Sequence, residues 1–128
     1  MKWLVLFSEE FEPEFEVLPV EVQDELFAQA KWIEEFGAEA GRPRVDTLSG
    51  SGYANMKELR FDAANGVWRV AFAFDPKRKA ILLVAGDKSG VSQKKFYQRL
   101  IDKADGRYGR HLEMLKKIEQ TGKERKKR

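Results

Sequence analysis

The stretch NMKELRF at residues 55–61, followed by VWRVAFAF at residues 67–74, decides the fold of this chain. Side chains of a β-strand alternate between its two faces, so each segment can be divided into two sides. One side of the second segment is apolar, formed by Trp68, Val70, Phe72 and Phe74. The other side carries Arg69, Ala71 and Ala73. A fixed positive charge followed by two small side chains predicts open space beside an arginine, as a phosphate site requires.

The first segment divides in the same way. Glu58 and Arg60 share one face, while Lys57, Leu59 and Phe61 share the other. The intervening turn at residues 63–66 ends in Asn-Gly, a strong hairpin signal. A third apolar strand at about residues 79–86 then delivers Lys88 at its carboxyl end, where we expect it to contact a phosphate directly.

The remaining pattern predicts helices around this sheet. An apolar run at residues 3–7 indicates a first strand, and apolar residues at helical spacing predict a helix at about 20–36. Residues 41–53 are rich in Gly, Ser, Pro and Arg and predict a long loop.

The C-terminal third is predicted to hold two helices. Ser92 caps the first, Gly106 breaks it, and the second contains Leu112, Leu115 and Ile118. We therefore expect one α+β domain over residues 1–122, and a basic, disordered tail at 123–128.

Charge is distributed unevenly along the 128 residues. Residues 1–40 hold 11 acidic and 2 basic side chains, whereas residues 41–128 hold 10 acidic and 22 basic ones. The second part is therefore expected to face a polyanion. There is no apolar run of about 18 residues that would predict a membrane span. The absence of cysteine excludes disulfides and fits a cytoplasmic location.

No metal ion or other cofactor is predicted. The alternating acids Glu10, Glu12, Glu14 and Glu16 are expected to form a solvated face, because metal sites usually need converging ligands with histidine support. The single histidine, His111, lies among Arg107, Tyr108 and Arg110 on a predicted helix, where a packing or surface role is expected.

Tyr97 has two readings. It lies beside Lys94 and Lys95 near the start of a predicted helix. The ring could anchor that helix on the sheet, or it could stack on a nucleic-acid base while the lysines hold the backbone.

Taken together, these segments resemble the RelE/HigB toxins of bacterial type II toxin–antitoxin modules, within the RelE/ParE superfamily. The likeness rests on the stretches NMKELRF (55–61), WRVAFAFDP (68–76), AILLVAGDK (80–88) and KFY (95–97), and on their order. It is strongest to the phage-related HigB-like branch. The resemblance implies a small, mostly antiparallel sheet with N-terminal helices packed on it and a C-terminal helix.

The resemblance also implies a function and partners. It points to a metal-independent endoribonuclease that cuts mRNA in the ribosomal decoding site, with the ribose 2′-OH attacking the adjacent phosphate. A HigA-like helix-turn-helix antitoxin would neutralise it, and the toxin–antitoxin complex would bind operator DNA.

Candidate roles follow residue by residue. Arg69, Lys88 and Tyr97 match the family's basic and tyrosine positions, so Arg69, assisted by Arg60 and Lys88, is expected to stabilise the phosphate. Ribosome-dependent members carry two lysines where this chain has Met56 and Glu58. Glu58 is therefore either the general base or the ion-pair partner of Arg60. The predicted RNA-binding residues are Lys57, Lys94, Lys95, Lys116 and Lys117.

Two other functions stay open on the same scaffold. ParE-like members act on DNA gyrase without cleaving RNA, and Glu58 would also suit an inactive partner-binding module. A convergent phosphate site formed by Arg69, Lys88 and Tyr97 distinguishes the nuclease, because gyrase poisons do not need one.

Overall fold

A five-stranded sheet with helices on both faces forms the protein. The computed structural model describes the backbone of residues 2–126 and the side-chain environments of residues 2–122. In chain order the elements are β1 (Leu4–Phe7), α1 (Phe11–Glu16), α2 (Val20–Phe36), a 3-10 turn (Gly37–Glu39), β2 (Val45–Thr47), β3 (Met56–Ala63), β4 (Gly66–Phe74), β5 (Lys79–Asp87) and α3 (Gln93–Lys126). Within the described residues no helix combines the length and the apolar character that crossing a bilayer would need.

The sheet is mostly antiparallel, with strand order β1-β5-β4-β3-β2. Only β1 pairs in parallel, along β5, as expected when helices separate two strands of one sheet. Ala64 and Asn65 both have positive φ in the β3–β4 turn, the backbone that the predicted Asn-Gly hairpin requires. The predicted α+β class and arrangement are confirmed.

Each face of the sheet has its own hydrophobic core. The α1–α2 side holds Leu59, Phe61, Trp68, Val70 and Phe72, while the α3 side holds Ala71, Ala73, Phe96, Leu100 and Tyr108. These are the faces that the alternation in β3 and β4 predicts. Gly86 permits the close approach of α3, because a Cβ there would lie 2.9 Å from the Phe96 ring.

The predicted break at Gly106 is wrong, since α3 is continuous. Phe96, Leu100, Ala104 and Tyr108 recur every fourth residue and pack against the sheet on both sides of the glycine. That packing outweighs the cost of about 1 kcal/mol of a glycine within a helix. The helical backbone continues through residue 126, into the segment predicted as a basic tail; residues 127 and 128 lie outside the described residues.

The predicted loop at 41–53 contains a short strand that the sequence did not indicate. Strand β2 pairs with β3, with Asp46 opposite Glu58 and Thr47 opposite Lys57. Three residues in a polar segment carry little strand signal of their own, and the pairing depends on the next strand, β3.

Candidate active site

Five polar side chains lie near the start of α3, where that helix covers the sheet; direct contacts join four of them, and Lys88 interacts with the others through its charge. They are Glu58 and Arg60 of β3, Arg69 of β4, Lys88 after β5, and Tyr97 of α3. Arg60 and Arg69 are direct neighbours across the β3–β4 pairing. We call these five residues the Tyr97 cluster, and they are the five that the sequence nominated as catalytic.

Glu58 is the acceptor at the centre of the Tyr97 cluster. Its Oε1 accepts a hydrogen bond from the Tyr97 hydroxyl at 3.1 Å and lies 3.3 Å from Nε of Arg60 and 3.8 Å from Nε of Arg69. Only 8% of the side chain is exposed. Burial raises the pKa of Glu58 above its ordinary value, although the Tyr97 hydrogen bond and the two arginines act in the opposite direction. The expected Arg60–Glu58 ion pair is therefore present, within a larger network.

Arg69 is held from inside the protein. Its Nε donates to the Tyr97 hydroxyl at 3.2 Å, and its Nη1 donates to the carbonyl of Trp68 at 2.9 Å. The open space expected beside Arg69 is not found: Ala71 and Ala73 are fully buried in the core beneath α3. The small side chains serve the close packing of the helix, which an isolated strand pattern does not reveal.

Tyr97 connects the acid to the arginine. Burial raises the pKa of its hydroxyl, opposed by the hydrogen bond from Arg69, while the neighbouring Glu58 charge raises it further. Tyr97 is partly exposed and packs against the α3-side core, so it anchors the helix and still presents surface.

Lys88 and Arg60 are the cations of the cluster that reach solvent. The side chain of Arg60 is 28% exposed, and Lys88 is also partly exposed. Burial and the repulsion of Arg69 and Arg60 lower the pKa of Lys88, against the attraction of Glu58. Lys88 makes no ion pair within the part of the chain whose side chains are described.

A groove of about 700 Å³ opens beside the cluster, between the β2 region and the start of α3. Glu58 and Tyr97 form part of its wall, so it connects the cluster with the surface. Over residues 2–122 no three potential metal-ligating side chains (His, Cys, Asp or Glu) lie together.

The predicted RNA-binding lysines separate into two sets. Lys94 lines the groove, and Lys95 is exposed next to it. Lys57 lies on the opposite face of the sheet and donates to Oγ1 of Thr47 at 3.1 Å. Lys116 and Lys117 lie 19 and 20 residues beyond Tyr97 on α3, about 30 Å away along the helix axis. The structure does not bring these last three to the cluster.

Asp46 is a neighbour of the site that the sequence did not single out. Its Oδ2 lies 3.4 Å from Nε of Arg42 and 4.0 Å from Nη1 of Arg60. Its position opposite Glu58 depends on β2, which was predicted as loop. An acid among the arginines of residues 42–46 was the only local signal.

Comparison with known proteins shows the family of the chain. The model of the family described as "Phage derived protein Gp49-like (DUF891)" matches residues 13–109. The chain belongs to this Gp49-like family. Two relatives come from Mycobacterium tuberculosis: "Putative toxin HigB2" is 39% identical over 108 residues, covering 84% of this chain and 53% of the relative. "Putative toxin HigB3" is 48% identical over 75 residues, covering 59% of this chain and 63% of the relative.

The match spans about half to two-thirds of the length of those curated relatives. Among solved structures, a mutant of the E. coli toxin RelE in the free state superposes with a TM-score of 0.55. The alignment covers 80% of this chain and 97% of that one at 14% identity, a likeness of fold alone. The resemblance to the RelE/HigB group drawn from the sequence is thus confirmed.

Proposed function

We propose that this Gp49-like protein is the toxin of a type II toxin–antitoxin module and cleaves mRNA on the ribosome. The observation that carries the proposal is the Tyr97 cluster, in which the buried Glu58 contacts Tyr97, Arg60 and Arg69 and interacts through its charge with Lys88. The names of the HigB relatives and the RelE-like fold support the toxin class. Residues 1–122 would form the single toxin domain.

The directions of the two pKa shifts suit a base and an acid. A raised pKa makes Glu58 a stronger base than an ordinary glutamate, and a lowered pKa makes Lys88 a better proton donor than an ordinary lysine. Oppositely directed shifts within one cluster are typical of a paired base and acid.

The proposed reaction needs two proton transfers, one from the attacking 2′-OH and one to the leaving 5′-oxygen. Glu58 accepts the proton of the ribose 2′-OH as the 2′-oxygen attacks the adjacent phosphorus. The bond from phosphorus to the 5′-oxygen then breaks, and Lys88 donates a proton to that leaving oxygen. The products are a 2′,3′-cyclic phosphate and a 5′-hydroxyl, with no metal ion required.

The two arginines would act differently. Arg60 is partly exposed and is placed to hold the phosphate oxygens as negative charge develops. Arg69 already donates hydrogen bonds from Nε to Tyr97 and from Nη1 to the Trp68 carbonyl. It would therefore mainly position Tyr97 and Glu58 and add positive potential to the site. Tyr97 would orient Glu58 and present its ring to a base.

Dependence on the ribosome is expected because the cluster alone does not orient the RNA. Within the described residues the cluster offers no histidine and no metal-ligand set to bind and orient a free RNA strand, and the ribosome would supply that orientation. The basic part of the chain, including residues 123–128, would bind ribosomal RNA through charge. The proposed setting is the cytoplasm, with a HigA-like helix-turn-helix antitoxin as partner and operator DNA as the target of the complex.

The test is cleavage by purified protein with translating ribosomes or with free RNA, in the presence of a chelator. We expect cuts only in ribosome-bound mRNA, with 5′-hydroxyl ends. Intact mRNA together with stabilised gyrase–DNA cleavage complexes would overturn the proposal in favour of a ParE-like target. Intact mRNA and unaffected gyrase would indicate a module that only binds a partner.

A further inference from the structure

The groove beside the Tyr97 cluster has the size and lining of a site for one nucleotide. Asp46, Thr47 and Ser49 line it from the β2 side, and Gln93, Tyr97 and Gln98 line it from α3. Its volume of about 700 Å³ falls within the range of small-molecule sites. A tyrosine ring and several uncharged polar groups are the surfaces that recognise unstacked bases.

The cluster and the groove share side chains. Glu58 and Tyr97 belong to both, so a base in the groove has its sugar and phosphate next to the carboxylate that is the proposed base of the reaction. Lys94, also in the groove wall, is placed to meet a neighbouring phosphate.

Asp46 is a second charged acceptor of the groove wall besides Glu58, and it is the more exposed of the two. Its Oδ1 accepts the backbone N–H of Thr47 at 2.9 Å, and its Oδ2 lies near two arginines. A carboxylate has about four acceptor sites, and the side chain of Asp46 is 36% exposed, so it can accept further hydrogen bonds.

The donors and acceptors on the Watson–Crick edges of the four RNA bases decide which base suits this carboxylate. A carboxylate pairs best with two adjacent donors, and only guanine presents two, N1–H and N2–H, side by side on its Watson–Crick edge. Cytosine and adenine each offer an amino group beside a ring-nitrogen acceptor. Uracil offers one N–H between two carbonyl oxygens, which a carboxylate repels.

The geometry points to this groove as a guanine-binding subsite, with Asp46 as its specificity-determining residue. This inference rests on the proposed function, because it names the base next to the scissile phosphate. It concerns binding, however, and can be measured without any cleavage.

The experiment is a nuclear magnetic resonance titration of the full chain with the 3′-monophosphates of guanosine, adenosine, cytidine and uridine. We expect saturable shifts at the amides of Thr47, Ser49 and Gln98, and binding of the guanosine compound at least about fivefold tighter than the uridine compound. Asp46→Asn should reduce that ratio to less than about twofold, because an amide presents a donor where guanine also presents one.

Asp62→Asn is the matched control, since Asp62 is an exposed acid farther along β3, outside the groove. It should leave the ratio unchanged. Equal binding of all four nucleotides, shifts confined to other surfaces, or an unchanged ratio in Asp46→Asn would overturn the inference. A protein that cuts ribosomal mRNA yet shows one of these results refutes the guanine subsite alone. Guanosine-selective binding without any mRNA cleavage refutes the proposed function alone.

Discussion

Two polar networks join α3 to the sheet, and they differ in how well their charges are matched. The Tyr108 network, by which we mean Asn55, Asp75, Tyr108 and His111 together with the nearby pair of Arg107 and Glu14, matches its donors with acceptors. Tyr108 accepts from Asn55 at 2.9 Å, His111 lies 2.9 Å from Asp75, and Arg107 binds both carboxylate oxygens of Glu14 at 2.8 and 2.6 Å. In the Tyr97 cluster, three cations surround one buried carboxylate.

The difference separates a structural role from a functional one. Buried polar groups that are all paired specify how the helix packs on the sheet, and no unpaired charge is left to bind a ligand. The Tyr97 cluster keeps surplus positive charge, partial exposure and shifted pKa values, which are the features of a site that binds and transforms an anion.

Glu58→Gln should nearly abolish cleavage. The change keeps the shape of the side chain but removes the proposed base, so the single-turnover rate on ribosomes should fall by about 10²–10⁴-fold. Folding, checked by circular dichroism, should be retained. A variant that cuts mRNA at the wild-type rate would leave Glu58 as only the ion-pair partner of the arginines.

Lys88→Met should lower the same rate by about 10²–10³-fold, because the proposed proton donor and one cation of the phosphate site are lost. Lys57→Met is the matched control, since Lys57 lies on the other face of the sheet and donates to Thr47. We expect less than about a threefold change in the control. Equal losses in the two variants would show that general charge, rather than the cluster, governs the activity.

Arg107→Met should affect stability and spare activity. It removes the pair with Glu14 and leaves the Leu83 carbonyl without the 2.7 Å hydrogen bond that Arg107 donates. We expect the free energy of unfolding in urea to fall by about 2–3 kcal/mol. The cleavage rate per folded molecule should stay at the wild-type level, and a selective loss of rate would assign function to the Tyr108 network.

The pH dependence of stability should carry the signature of Glu58. Because its pKa is raised in the folded state, the folded protein holds this proton more tightly than the unfolded chain does. The stabilisation that protonated Glu58 provides is present below its ordinary pKa of 4.5 and is lost as pH rises through the raised value. In urea denaturation from pH 4 to 8, the free energy of unfolding of Glu58→Gln should therefore rise relative to that of wild type as the pH increases. A difference that stays constant with pH would contradict the raised pKa of Glu58.

Gly106→Ala should give the smallest effect, a gain of about 0.5–1 kcal/mol in the free energy of unfolding. Gly106 lies inside α3, and a Cβ there would make only ordinary contact with Arg110 at 3.5 Å. Gly109→Ala is the comparison, because a Cβ at residue 109 would lie 3.1 Å from the Tyr53 hydroxyl. This variant should gain less free energy of unfolding than Gly106→Ala. Thermal denaturation of both variants provides the measurement.

The sequence was informative where signals were local. The alternation in β3 and β4 predicted which side of the sheet each residue faces, and it placed Glu58 and Arg60 together. It could not predict that α3 closes over Ala71 and Ala73, because that depends on contacts between distant segments. Strand β2, and with it Asp46, was missed because three residues in a polar segment carry little strand signal of their own.

The RNA-binding prediction divided in a similar way. Lys94 and Lys95 lie three and two residues before Tyr97 on the same helix, so their placement near the cluster could be inferred. Lys116 and Lys117 were judged on charge alone, and a continuous α3 carries them about 30 Å away.

The most direct test of the central claim is to map transcript 5′ ends in cells after brief induction of wild type, Glu58→Gln and Arg107→Met, normalised to folded protein. The Tyr97 cluster, as the proposed nuclease site, predicts new 5′-hydroxyl ends within translated regions for wild type and Arg107→Met, and none for Glu58→Gln. Growth arrest by wild type without new mRNA ends, or the same ends from Glu58→Gln, would contradict it.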